Sequence, residues 1–70
     1  MTHADIDHWF TYHAPTQDLI PKYNAIREAG RALAVVIYAN TPASADQTAA
    51  IRKVREAVMT ANSSLACGGK

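Results

Sequence analysis

Seventy residues and 7.6 kDa hold one small domain, and fourteen alanines leave only nineteen larger hydrophobes to form its core. A chain this short buries about 60% of its unfolded surface, so it needs a disulfide, a metal or self-association as support. Seven Lys and Arg against six Asp and Glu give a net charge of +1, which argues against a nucleic-acid coat, and the single Cys excludes an internal disulfide.

Met1-Thr2-His3-Ala4-Asp5 is too polar and acidic for a signal peptide, and no apolar run approaches the roughly 18–20 residues that cross a bilayer. A reducing, cytosolic setting is expected. Thr2, with Asp5 three residues on, makes a capping box, which predicts a short helix over about 2–10. Residues 11–17 follow as an ordered connector, where Pro15 pushes Ala14 towards an extended conformation. The aromatic and imidazole rings crowded into residues 8–13 are costly to leave in water.

The next helix is expected over about 18–40, with Asp18 as N-cap and Pro21 at the third helical position, where its missing N–H costs nothing. Leu19, Tyr23, Ile26, Gly30, Leu33, Ile37 and Asn40 step by 4,3,4,3,4,3, a heptad seam for helix-on-helix packing. Gly30 weakens that helix by about 1 kcal/mol relative to Ala, so a close neighbour is expected there. Ala34-Val35-Val36-Ile37-Tyr38 is β-branched enough for a strand, but no second strand exists to pair with it, and helical periodicity runs through both flanks. Thr41-Pro42-Ala43 ends the helix. Ser44 and Gln47 form a second capping box for a helix over about 45–66, whose Ile51, Val54, Val58, Ala61 and Leu65 repeat the heptad. Residues 67–70, with Cys67, read as a flexible tail after a single domain over 1–66. The fold class is therefore all-α: a short helix plus an antiparallel two-helix hairpin. Leu33, Val35, Val36, Ile37 and Tyr38 cover more of the circumference than one partner helix buries, which predicts a homo-oligomer of closed symmetry.

Nothing along the chain reads as an active site. His3, His8 and His13 are five apart, whereas helical metal pairs need spacings of three or four, so no metal site is expected. Arg52, Lys53 and Arg55 read as a solvated face, with nucleic-acid contact the minority reading. Phe10-Thr11-Tyr12-His13, taken with Lys22, Arg27 and Arg31, is more informative. Rings beside guanidinium groups suit a ligand made of bases and phosphates, and Arg27 and Arg31 share one helical face beside the seam.

Asp5-Ile6-Asp7-His8, Phe10-Thr11-Tyr12-His13 with Pro15-Thr16, Tyr23, Ala25-Ile26-Arg27, and Glu56-Ala57-Val58-Met59 with Ala61-Asn62 resemble the phage anti-CBASS type 2 sponge family. Its helical-hairpin domain is also named for anti-Thoeris sponges. The resemblance covers roughly residues 5–66 in order; it departs at Ala14, where Pro is common, at Thr60, where Trp is common, and in the Ala-rich last helix. It implies a homo-oligomer, typically a hexamer, that holds cyclic oligonucleotides such as cyclic GMP-AMP between protomers without cleaving them, in the cytoplasm of an infected bacterium. The family's aromatic and basic contacts to cyclic dinucleotides fall on Tyr12 and Arg27. His13, Arg31 and Phe10 are further ligand-binding candidates, the first two for a separate cyclic-trinucleotide pocket. No catalysis, cofactor, nucleic-acid polymer or membrane is implied. The alternative function is a helical assembly module with no small ligand, for which the seams alone suffice.

Overall fold

Thr2 opens α1 (His3–Trp9). Its hydroxyl accepts from the Asp5 N–H at 3.1 Å while its own N–H donates to the Asp5 carboxylate at 2.9 Å, the reciprocal capping box. The computed structural model describes residues 1–70 throughout, and two longer helices follow, α2 (Ile20–Asn40) and α3 (Ala45–Ala66), with no strand. Residues 34–38 lie inside α2.

Asp18 is not the cap of α2. Leu19 occupies that place without a side-chain bond, and Pro21 falls at the second helical position. The reason lies in the turn before it. The N–H groups of Leu19 and Ile20 both donate to the Thr16 carbonyl, at 3.0 and 3.2 Å, and the Thr16 hydroxyl donates to the Asp18 carboxylate. An Asp18 cap would need an N–H two or three residues on. Ile20 has already given its own, and Pro21 has none.

At the start of α3, the Ser44 hydroxyl accepts from the Gln47 N–H at 3.1 Å. The Gln47 amide does not complete the box. It donates instead to the carbonyls of Tyr38 (3.2 Å) and Thr41 (3.0 Å), binding the orphan acceptors at the end of α2 and locking the hairpin turn.

The end of α3 also differs from expectation. Residues 67–70 are not a loose tail. Gly68 and Gly69 adopt φ of 63° and 78°, and their N–H groups donate to the Leu65 carbonyl (3.3 Å) and the Ser64 carbonyl (2.9 Å). This is a Schellman cap, which needs a residue in left-handed geometry and favours glycine there.

α2 and α3 pack antiparallel along their length. Leu19, Tyr23, Ile26, Gly30, Ala34 and Ile37 are half-buried against Gln47, Ile51, Val54, Val58, Ala61 and Leu65. The α3 row keeps the heptad, but α2 steps 4,3,4,4,3, the period of a straight helix, so Ala34 replaces Leu33 in the seam and Leu33 is 51% exposed. The change falls next to Gly30, where a Cβ would lie 2.5 Å from Val58 Cγ2, and Leu33 instead lines a hollow beside the seam.

The result is a plank of 45 × 28 × 15 Å with a radius of gyration of 15.1 Å. A globule of this length would have about 11 Å, and 15 Å of thickness is little more than one layer of helices. No residue is buried. Val35, Val36 and Tyr38 face solvent, as the all-round apolar stretch of α2 requires in a two-helix structure. No helix is long and apolar enough to cross a membrane.

Candidate functional site

α1 has no apolar interior to hold it and is fastened through ring N–H groups. The Trp9 Nε1–H donates to the Lys70 carbonyl at 2.8 Å, and His8 Nε2 bonds the Cys67 carbonyl at 3.0 Å. The connector then folds back over the last turn of α1: Thr11 donates its hydroxyl to the Asp7 carbonyl, and His13 Nε2 bonds the His8 carbonyl at 2.7 Å. A carbonyl can only accept, so both imidazoles carry a proton on Nε2, which leaves Nδ1 as the acceptor of the neutral ring. Their rings meet edge to face, with centroids 4.7 Å apart and planes at 62°.

These bonds frame a cavity of about 640 Å³ between residues 9–13 and the end of α3, where Thr60, Ser63, Ser64, Ala66 and Cys67 form the opposite wall. Phe10, Tyr12 and His13 all line it. Phe10 and Tyr12 are 85% and 82% exposed, and the Tyr12 hydroxyl has no partner within the chain. His13 is half-buried and serves as a strut of the connector.

Arg27 and Arg31 lie on α2 and do not line this cavity. Arg27 is exposed and donates to the Asn24 side-chain oxygen at 3.5 Å. One chain thus brings together three of the five candidate residues and leaves the two arginines on another surface. A second hollow of about 500 Å³ runs along the hairpin between Ile26, Gly30 and Leu33 on α2 and Val54, Ala57 and Val58 on α3.

The sequence alone did not point to Trp9, Thr60, Ser63 or Cys67 as part of the cavity. The readable signal was Gly68-Gly69 directly after a long helix, which marks a capped end able to receive donors. Among the ionisable groups, Asp18 has its carboxyl held below the usual carboxylate range. The Thr16 hydroxyl is the main cause, followed by a backbone N–H, with the Lys22 charge contributing less. Asn62 Oδ1 is shut off from solvent and has no hydrogen-bond partner in the single chain.

An all-helical hairpin with a strapped-on first helix, exposed apolar faces and an aromatic-rimmed hollow is the class of structure defined by these features. The chain belongs to the Acb2/Tad1, hairpin domain family, whose model matches residues 2–66. This bears out the resemblance to the anti-CBASS type 2 sponges and carries, at the level of the family, a sponge-type anti-defence role. Neither a curated protein nor a solved structure matches the chain.

Proposed function

We propose that this protein is a phage-encoded sponge that captures cyclic dinucleotides, and possesses a second capacity for cyclic trinucleotides, in the cytoplasm of an infected bacterium, holding the signals without cleaving them. It works as a homo-oligomer, a hexamer by the family pattern. The observation that carries the reading is Tyr12: an aromatic ring 82% exposed on the rim of the larger cavity, without a hydrogen bond inside its own chain.

Assembly follows from the physics of the protomer. A 70-residue plank with no buried residue leaves Leu33, Val35, Val36, Tyr38 and Met59 in water, and packing copies together removes them from it. A two-fold interface also supplies each side chain twice. Two Tyr12 rings then meet two bases, and two Arg27 groups meet two phosphates, which is why the separation of Tyr12 from Arg27 within one chain suits a site shared between chains. Stacking contributes about 1–3 kcal/mol per base, and each charged hydrogen bond about 1.5–3 kcal/mol. Four contacts therefore yield roughly 5–12 kcal/mol gross, against the about 12 kcal/mol net of nanomolar capture. The connector supplies the remainder by closing over the ligand, with Phe10 as the adjacent apolar surface.

Calorimetry against cyclic dinucleotides and trinucleotides tests the reading. Tyr12→Ala or Arg27→Ala abolishes dinucleotide binding while the oligomer persists; full binding by both variants refutes the site. Ligand recovered intact after heat denaturation supports sequestration, and linear product means a phosphodiesterase. No heat with any ligand, from a protein that still assembles, leaves a helical assembly module in its place.

A further inference from the structure

We propose that His8, His13 and Cys67 form a site for one divalent transition-metal ion, with zinc as the reference occupant, which clips α1 and the connector to the end of α3. One ligating atom of each side chain lies within 4.8 Å of the others. These three are half-buried, whereas every Asp and Glu and the remaining histidine, His3, are exposed. Two imidazoles and a thiol are the borderline-to-soft donors that select zinc-like ions over magnesium or calcium.

Hydrogen bonding favours the same conclusion. Both rings spend their Nε2–H on a backbone carbonyl, His8 on Cys67 and His13 on His8. In the neutral ring that metal binding requires, Nδ1 is then the nitrogen that carries the lone pair. A metal-bound imidazole is typically held in this way, with one nitrogen on the ion and the other donating to a carbonyl that fixes the tautomer and the ring orientation. Zinc sits about 2.0–2.3 Å from nitrogen and sulfur, so donor atoms spread over as much as 4.8 Å must draw closer together to hold one ion. The Cys67 thiol is half-buried and is in no disulfide. The fourth coordination position is left for water or an anion, since His13 and Cys67 both border the larger cavity. The spacing of five between His8 and His13 is no obstacle, because α1 ends at Trp9 and His13 lies off the helix.

The test uses the reduced, full-length protein stripped of metal with a chelator. Zinc is titrated by calorimetry, cobalt by absorption, and thermal unfolding is followed with and without zinc. One ion per chain, a thiolate-to-cobalt charge-transfer band and a zinc-dependent rise in Tm are expected. Cys67→Ser removes the band and weakens zinc binding at least tenfold. Its fold should persist, because residue 67 bonds α1 through its main-chain carbonyl; Cys67→Ala provides a second variant, and circular dichroism checks both. Absence of zinc binding, one ion per two chains, a cobalt spectrum without the thiolate band, or affinity unchanged by both Cys67 variants would each overturn the site.

Discussion

Replacing Gly30 with Ala sets two effects of opposite sign against each other. Helix propensity alone favours the change by about 1 kcal/mol. The packing opposes it. The new Cβ would meet Val58 Cγ2 at 2.5 Å and Val54 Cγ1 at 3.8 Å, and carbon atoms prefer about 3.5–4.0 Å. Val58 cannot swing its methyl aside, because a β-branched side chain in a helix has essentially one χ1 rotamer. The helices must therefore separate along the seam, and overpacking of this kind costs about 1–3 kcal/mol. With the rigid obstacle placing the cost in the upper half of that range, Gly30→Ala loses about 1–2 kcal/mol net, a fall in Tm of roughly 4–16 °C for a domain of this size. Thermal unfolding by far-ultraviolet circular dichroism, at one fixed protomer concentration, measures it. Val58→Ala in the same background should recover part of the loss, since the new methyl fills the space the old one leaves. A Tm that rises in Gly30→Ala, or single and double variants that add without coupling, would refute the close approach of α2 and α3 at this point.

Ser44→Ala removes the N-cap of α3 and should cost about 1 kcal/mol, lowering Tm by about 4–8 °C in the same assay. Gly68→Ala places a Cβ at a φ of 63° and should cost about 1 kcal/mol; hydrogen exchange should also show α1 opening more readily, because its anchoring carbonyls lie in that cap. Asp18 provides the pH test. Its folded-state pKa is depressed, so its contribution to stability is present above the ordinary carboxylate pKa and is lost as pH falls through the folded value. Asp18→Asn should therefore be less stable than the parent at neutral pH and converge with it in strong acid, as read by Tm across a pH series; a gap that widens on acidification contradicts the assignment.

Much of the fold was legible because local signals agreed with one another. The Thr2–Asp5 box, Pro42, Ser44 and the α3 heptad all refer to neighbours within four residues, and such patterns persist into the structure. What failed depended on tertiary choice. Asp18 looked like a cap until Thr16 claimed its carboxylate, and Leu33 looked like a seam residue, whereas the straight-helix period of α2 brings Ala34 to the seam. The candidate site was legible on the connector side, in Phe10, Tyr12 and His13. Its other wall was not, because Thr60, Ser63 and Cys67 lie some fifty residues away in sequence and no local pattern links them to α1. Helical spacing bears only on residues that share a helix, and His13 lies beyond the end of α1.

The docking of α1 has a consequence for how such a protein diversifies. Trp9 and His8 grip carbonyl oxygens of Lys70 and Cys67, groups that every amino acid carries. Exchanging Thr60, Ser63, Ser64 or Ala66 therefore changes the lining of the cavity without removing any of the atoms that hold α1 in place. Attachment of α1 and lining of the cavity thus rest on different atoms, the one on main-chain oxygens and the other on side chains.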